Sequence, residues 1–353
     1  MSSSAVGKKT KTKKRWMNLL RVLISVGVLG ILFWRIGLGQ TLDVLRQADV
    51  RYLLAAFLLF VLSLVIRAYR WFILVRSLDP SFQYEGKADR PRLSTDGVGV
   101  GAVGSGSVSF ARLLRLYFVG QFFNAFLPSS FGGDVVRALE LTQDTDTSAA
   151  IGTVLLDRMT GLLVLFVMGL AALPFNAARM EPWLVGLLLV VAGGGLVVGA
   201  LVLEGRFLRR LTRWLPTTLS LAGQGPLARV YAAVTGCGWP AVTGAFGVSV
   251  LFNLINVVIN WLCGQAVGAS VGLGYFFAVT PLLSVSGLIP SIGGWGVREA
   301  MSTALFSPTG TGANVAAALG LALGIVTLAA GLVGGCIYLV EGVRQMITER
   351  RGA

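Results

Sequence analysis

The chain has 353 residues, of which 55% are hydrophobic and only 13% are charged. A soluble domain carries roughly 25% charged residues, so this composition excludes a soluble globular protein and indicates a polytopic membrane protein. The formal net charge of +14 does not indicate nucleic-acid binding, because the Lys and Arg residues cluster between apolar stretches. Basic clusters in that position set topology and contact lipid headgroups.

The absence of histidine excludes His-ligated metals and His general bases. The three cysteines are scattered without C-x-x-C spacing and are predicted to be small buried side chains. The sequence therefore predicts no metal site, no cofactor and no catalytic residue.

The domain organisation follows from the order of basic and apolar stretches. Residues 1–16 are predicted to form a basic cytoplasmic tail, residues 17–345 a single transmembrane domain, and residues 346–353 a second cytoplasmic tail. Within the domain, residues 77–112 form a glycine-rich stretch that we interpret as a cytoplasmic loop. Six stretches are long enough to cross about 30 Å of hydrocarbon. They are residues 17–36, 52–75, 149–173, 183–203, 241–267 and 315–340.

The end of the second predicted span combines aromatic and basic side chains. Its polar and aromatic residues are Arg67, Tyr69, Arg70, Trp71 and Arg76. This composition is typical of the belt at a membrane–water interface, where we expect these residues to lie.

Two further apolar segments, residues 121–137 and 287–299, are interrupted in the same way. Each has a proline followed by the pattern G-G-x-x-V-R. The first copy contains Pro128, Gly132, Gly133 and Arg137, and the second contains Pro290, Gly293, Gly294 and Arg298. Paired Gly/Pro-interrupted segments in two halves of a membrane protein indicate a transporter-type binding site. We therefore predict two broken, re-entrant helical hairpins.

Each residue type in this pattern has a physical role. A proline ends a helix, and a glycine pair permits positive φ and close backbone approach. A half-helix that starts after each glycine pair would direct its free N–H groups at an anion such as phosphate. Arg137 and Arg298 would then bind the same group bidentately. The alternative is a kinked helix that packs through its glycines, with Arg137 at the interface.

Asp157 and Arg158 lie in the middle of an apolar span, where ionised side chains are costly. We predict that they join Asp134, Arg137, Arg298 and Glu299 in a charge-balanced interior cluster, with Asn124 as a weaker candidate. The cluster would form a polar path for a charged lipid headgroup. The alternative is a set of structural ion pairs that fix the register of the helices.

The basic residues also predict a topology. With six full spans and two hairpins, most of the 30 Lys and Arg residues lie on the side of both termini, which is therefore predicted to be cytoplasmic. The first hairpin then enters from the cytoplasm and the second from the opposite side, as in an inverted repeat. A complete crossing by residues 113–127 is the alternative.

Four motifs in order resemble the transmembrane region of lysylphosphatidylglycerol synthases, a family of flippase-like membrane proteins. They are the run from Phe118 to Pro128, the segment from Gly132 to Ala138, Asp157-Arg158-x-x-Gly161-Leu162, and the segment from Pro290 to Glu299. The resemblance covers essentially the whole chain. It implies an inner-membrane domain that flips an aminoacylated phospholipid made by a separate synthase domain. The glycine-rich insertion is not part of the family pattern.

The sequence thus predicts an all-α membrane helix bundle of about six full spans and two re-entrant hairpins. The predicted function is lipid translocation in a prokaryotic inner membrane, acting on a phospholipid or a polyprenyl-linked lipid. A non-transporting partner or regulator of an envelope-lipid synthase or glycosyltransferase is the alternative. A third hypothesis is an intramembrane enzyme that uses Asp134, Asp157 or Glu299. Membrane lipids are the expected partners, nucleic acid is not, and a homo-oligomer or a lipid-synthase partner stays open.

Overall fold

The computed structural model describes residues 38–78, 108–127, 131–205, 210, 212, 221, 225–289, 291 and 293–352. Across these ranges the regular structure is helical, with no strand. The predicted span at residues 17–36, the basic tail, Pro128, Pro290 and most of the glycine-rich stretch lie outside the described residues.

The first half of the described chain forms helices α1 to α5. They span Leu38–Arg46, Val50–Arg76, Phe110–Phe126, Gly132–Leu141 and Thr147–Asn176. The starts of α2, α3 and α5 follow from capping chemistry, because an oxygen-bearing side chain before each helix accepts from its first free N–H groups. Asp49 accepts from the backbone N–H of Arg51 at 2.8 Å, and Asp146 accepts from that of Ser148 at 2.7 Å.

The second half forms helices α6 to α12. They span Pro182–Leu188, Gly194–Glu204, Pro226–Gly236, Gly238–Ala266, Leu273–Ser286, Val297–Phe306 and Ala313–Gly352. A π-helical turn, Leu189–Gly193, joins α6 to α7 into one long rod. Helix α12 runs without interruption through residues 346–352, the segment predicted as the C-terminal tail.

Five of these rods are long and apolar enough to cross a membrane. They are Val50–Arg76, Thr147–Asn176, Pro182–Glu204, Gly238–Ala266 and Ala313–Val340. Each coincides with one of the predicted spans, and the prediction of a polytopic helical bundle is confirmed. A helix of 27 residues, such as α2, is roughly 40 Å long at 1.5 Å per residue, which exceeds the hydrocarbon thickness.

Helices α3 and α4 form an antiparallel pair, which we call the first hairpin. Arg112 near the start of α3 pairs with Asp144 just after α4 at 2.9 Å. At the other end, Asn124 of α3 accepts a hydrogen bond from the N–H of Gly133 at 2.7 Å. A side chain at Gly133 would overlap the backbone carbonyl of Gly120, so the pair depends on a glycine there.

Helices α10 and α11 form the second hairpin. Tyr275 near the start of α10 donates to the carbonyl oxygen of Leu305 near the end of α11 at 2.6 Å. The rings of Phe276 and Phe306 lie 4.9 Å apart at the same end. The break between the two helices includes Gly293, whose φ of 58° belongs to the left-handed region that glycine adopts readily.

The two hairpins lie along opposite ends of α12. Gly334 and Gly331 of α12 contact Phe118 and Ala125 of the first hairpin. Gly324 and Gly320, towards the other end of α12, contact Trp295 and Glu299 of the second hairpin. The broken ends therefore face each other beside the stretch between Gly324 and Gly331, and a methyl group at Gly293 would lie 2.6 Å from the carbonyl oxygen of Ala125.

The apolar core has its largest cluster around α5, α9, α10, α11 and α12, with Phe276, Phe306 and Leu319 fully buried. A second cluster surrounds Trp71 between α2, α3 and α5.

Candidate functional site

A polar cavity of about 290 Å³, which we call the central cavity, lies among helices α2, α3, α4, α5, α9 and α10. Its charged lining residues are Arg67, Arg70, Asp134, Arg137, Asp157 and Arg158. Its uncharged polar lining residues are Tyr117, Gln121, Asn124, Asn253, Asn256 and Ser284. Three of the helices that line this cavity, α2, α5 and α9, are long and apolar enough to cross a membrane.

Asp157 is the centre of the charge network, and it is 2% exposed. Its Oδ1 accepts from Nε of Arg70 at 2.8 Å, and its Oδ2 accepts from Nη2 of Arg137 at 3.1 Å. The hydroxyl of Tyr117 also donates to Oδ2. A buried carboxylate needs this many partners, because moving an unpaired charge from water into a low-dielectric interior costs on the order of several kcal/mol.

Arg137 is held from several sides. Its Nη1 donates to Oδ1 of Asp134 at 3.1 Å, and its guanidinium carbon lies 3.6 Å from the ring centroid of Tyr117 and 4.2 Å from that of Trp71. Gly120 provides the space, because a methyl group there would lie 2.9 Å from the Arg137 side chain. The carboxylates of Asp134 and Asp157 and the two aromatic rings therefore fix this arginine in one position.

The ion pair between Arg158 and Asp134 is more exposed than the other ion pairs of the central cavity. Nη1 of Arg158 lies 2.6 Å from Oδ2 of Asp134, and the Arg158 side chain is 29% exposed. Its guanidinium carbon also lies 4.3 Å from the ring centroid of Phe131. Among the described lining residues, four arginines face two aspartates, so the cavity has an excess of two positive charges.

A second cavity of about 180 Å³, the hairpin cavity, lies between the two hairpin breaks. Gly293, Gly294, Trp295 and Arg298 line it from the second hairpin. Residues that line both cavities are Gln121, Asn124, Arg158, Ser284 and Leu288. The two polar volumes thus share a wall that contains Arg158.

The structure divides the residues predicted to form one charged cluster. Asp134, Arg137, Asp157 and Arg158 are joined by ion pairs in the central cavity. Arg298 instead donates to the carbonyl oxygen of Gly293 at 2.6 Å and lines the hairpin cavity.

Glu299 and Asn124 have capping roles. Oε2 of the fully buried Glu299 accepts from the N–H of Gly296 at 2.5 Å, as Asn124 does from Gly133. The N–H groups predicted to bind an anion at the start of α4 and α11 therefore include donors that the chain itself already uses.

The two glycine pairs differ in backbone conformation. Gly132 and Gly133 are the first residues of α4 and are helical, so this copy uses glycine for close approach and not for positive φ. Gly293, Gly294 and Gly296 all have positive φ, and α11 begins only at Val297, after the third glycine. The pattern of letters is shared, but the helix starts four residues later in the second copy.

Sequence reasoning missed Arg67, Arg70 and Tyr117. Arg70 is 3% exposed and donates to Asp157, and Trp71 is fully buried, so this part of α2 is an interior surface and not an interfacial belt. Tyr69, which is 51% exposed, is consistent with the belt. The spacing of Arg67 and Arg70 by three residues, which places both on one helix face, is the signal that could have identified them.

The fold and the cavity together define an integral, polytopic membrane protein with a charged interior. The family described as the lysylphosphatidylglycerol synthase TM region matches residues 18–335, and the chain belongs to this family. A curated relative, the UPF0104 membrane protein PH1989 of Pyrococcus horikoshii, is 24% identical over 155 residues. That match covers 42% of this chain and 38% of the relative, so it spans about two fifths of the relative's length. No solved structure matches the chain significantly.

Proposed function

We propose that this chain is a lipid translocase-like protein, of the flippase or scramblase type, in a prokaryotic inner membrane. The central cavity would receive the headgroup of a phospholipid or a polyprenyl-linked lipid. The observation that carries the proposal is the excess of arginines over aspartates in a cavity lined in part by helices long and apolar enough to cross a membrane. Ionisable side chains at that depth are expensive and typically mark a substrate path.

The arrangement of the hairpins supports a path through the bundle. We propose that the two hairpins are re-entrant and enter from opposite leaflets, because they lie along opposite ends of α12 and meet at their breaks. Broken helices of this kind surround the binding sites of many transporters, and their irregular backbone is tolerated where it lines a cavity. A headgroup could pass between the two cavities while its acyl chains stay in the lipid.

Arg158 is the residue best placed to follow a headgroup along this path. It lines both cavities, and its side chain is more exposed than those of Arg137 and Asp157. Arg70, Arg137 and Asp157 would form the fixed part of the site, since their contacts leave little freedom to move. We further propose that the protein makes no covalent change to the lipid, and that both termini are cytoplasmic.

A reconstitution assay tests the proposal. Purified protein is placed in vesicles of phosphatidylglycerol and phosphatidylcholine with a trace of fluorescent phospholipid, and a membrane-impermeant quencher reports movement between leaflets. We expect movement above the rate of protein-free vesicles, and a decrease of about ten-fold with Arg158→Gln, the size of losing one charge-assisted hydrogen bond. Arg46→Gln is the control, because Arg46 is exposed and pairs only with exposed Asp43 among the ion pairs of the described chain.

No movement above the protein-free rate would refute translocation. Mass spectrometry of the same lipids before and after incubation checks the second part of the proposal. A new lipid species that depends on Asp134, Asp157 or Glu299 would instead favour the intramembrane enzyme.

The alternative function, a membrane partner or regulator of a lipid synthase or glycosyltransferase, has its own supporting observation. The rod Pro182–Glu204 is only 17% buried in its most apolar stretch, and a methyl group at Gly186, Gly193 or Gly194 would meet nothing within 4 Å. Small residues on an exposed membrane helix allow close packing of another helix. Bulky substitutions at these glycines should leave lipid movement unchanged if translocation is the function of the chain alone.

A further inference from the structure

Arg67 differs from every other arginine of the central cavity. It lines the cavity from α2, yet none of the ion pairs in the described part of the chain includes it. Its Nε and Nη2 are buried and have no hydrogen-bond partner among the described residues. Buried donors normally have hydrogen-bond partners, so the unpaired donors of Arg67 indicate that this cavity binds a ligand with hydrogen-bond acceptors.

The surroundings of Arg67 hold the guanidinium without using its N–H groups. Its guanidinium carbon lies 5.0 Å from the ring centroid of Phe252, 5.6 Å from that of Tyr117 and 5.7 Å from that of Phe60. Aromatic faces attract a cation but accept no strong hydrogen bond. The rings thus position Arg67 and leave its donors for an oxygen-rich group.

The nearby carboxylates are already engaged. Asp157 accepts from both Arg70 and Arg137, and Asp134 pairs with Arg137 and Arg158. Rearranging these pairs to include Arg67 would release another arginine, because two carboxylates cannot neutralise four guanidinium groups. The excess positive charge is a property of the composition of the cavity and not of one rotamer.

We propose that the central cavity selects lipids whose headgroup has a net negative charge, with Arg67 as a direct ligand of the phosphate. The same excess charge disfavours cationic, aminoacylated headgroups. This inference rests on the proposed function and names its substrate class. Arginine suits the role because its planar fork matches two phosphate oxygens. The volume of about 290 Å³ is at the small end of ligand pockets, which suits a headgroup and not a whole lipid.

Binding to purified protein in a zwitterionic detergent tests the charge selection directly. The probes are short-chain phosphatidic acid, phosphatidylglycerol, phosphatidylcholine and lysyl-phosphatidylglycerol, together with inorganic phosphate. The readout is the Kd from the change in tryptophan fluorescence, confirmed by native mass spectrometry. We expect phosphatidic acid to bind most tightly, about ten-fold more tightly than phosphatidylcholine, with lysyl-phosphatidylglycerol weakest.

Variants on one helix assign the effect to Arg67. Arg67→Gln should raise the Kd for phosphatidic acid about ten-fold, and Arg67→Lys should raise it less, because the charge is kept while the fork is lost. Arg76→Gln is the matched control, since Arg76 is exposed on the same helix and does not line the cavity. If Arg67→Gln does not fold, Arg67→Lys and the ranking of lipids by the wild type still decide the question.

Three results would overturn the inference. The first is a Kd for lysyl-phosphatidylglycerol equal to or below that for phosphatidic acid. The second is a Kd for phosphatidic acid that is the same in folded Arg67→Gln as in wild type. The third is binding of inorganic phosphate as tight as that of phosphatidic acid, which would assign the cavity to a free anion. The vesicle assay distinguishes failure of charge selection from failure of the proposed lipid translocation. Movement of lysyl-phosphatidylglycerol but not of anionic lipid leaves translocation standing and removes charge selection. Tight binding of phosphatidic acid without lipid movement supports charge selection and refutes translocation.

Discussion

The two hairpins share the pattern G-G-x-x-V-R but place their arginines in different environments. In the first hairpin, Arg137 bridges two carboxylates and stacks on two aromatic rings. In the second, Arg298 donates to the carbonyl oxygen of Gly293 within its own break, and no carboxylate pairs with it among the ion pairs of the described residues. One copy joins helices that are far apart in sequence, and the other stabilises its own turn.

The difference arises from the partners that the rest of the chain supplies. The first hairpin faces α5, which brings Asp157, and α2, which brings Arg70 and Trp71. The second hairpin faces glycines of α12, which allow close packing but offer no charge. A repeated local motif can therefore provide a network at one end of the molecule and a backbone turn at the other.

The largest expected effect is the loss of Asp157, the carboxylate that only the first hairpin contacts through its arginine. Asp157→Ala removes the carboxylate that pairs with both Arg70 and Arg137, which should lower the free energy of unfolding by about 3–5 kcal/mol. Unfolding with sodium dodecyl sulfate in mixed micelles measures this change. Asp43→Ala is the control, because its pair with Arg46 is exposed and should contribute at most ~1 kcal/mol. Equal effects of the two substitutions would contradict the network described here.

The next effect concerns the close approach of α3 and α4. Gly133→Ala places a methyl group against the backbone carbonyl of Gly120, and because backbone cannot yield as a side chain can, we expect a loss of about 1–3 kcal/mol. Gly186→Ala is the matched control, since that glycine is also helical and has nothing within 4 Å. The control should gain up to ~1 kcal/mol from helix propensity. A wild-type unfolding curve for Gly133→Ala would show that the two helices are not in contact.

A smaller effect compares the two arginines directly. Arg137→Lys should cost about 1.5–3 kcal/mol, because a lysine cannot hold both carboxylates at once. Arg298→Lys should cost ~1 kcal/mol or less, since one donor suffices for the carbonyl oxygen of Gly293. Unfolding free energies of both variants in the same micelles test this order. The reverse order would mean that the second hairpin carries the network.

The smallest effect tests whether Glu299 caps a helix or contacts a ligand. Glu299→Gln keeps an oxygen that can accept from the N–H of Gly296, so the free energy of unfolding should change by less than ~1 kcal/mol. Glu299→Ala removes the cap and should cost about 0.5–2 kcal/mol. Lipid movement by Glu299→Gln should equal that of wild type in the vesicle assay. A strong loss of movement with unchanged stability would place Glu299 on the lipid path.

Much of the fold was determined by the sequence alone. Composition and the length of the apolar stretches specify a helical membrane bundle, since hydrocarbon leaves the backbone few other ways to satisfy its hydrogen bonds. Five of the six predicted spans coincide with long apolar helices, and the sixth, residues 17–36, lies outside the described residues. The glycine pairs fall at the breaks of two antiparallel helix pairs, and that these pairs are re-entrant stays a prediction. Asp157 and Arg158 were identified because charged residues stand out in an apolar span.

The tertiary structure decided which charges meet. Arg67 and Arg70 lie near the end of a span, where the local sequence equally describes an interfacial belt, and only packing against α5 and α9 makes Arg70 an interior partner of Asp157 and Ser249. Within the repeated motif, the only charged residue that distinguishes Arg137 from Arg298 is Asp134, which Trp295 replaces in the second copy. Nothing there indicates the pairing of Arg137 with Asp157. Ion pairs and ring contacts depend on neighbours that are distant along the chain, and the periodicity of a single helix carries no information about those neighbours.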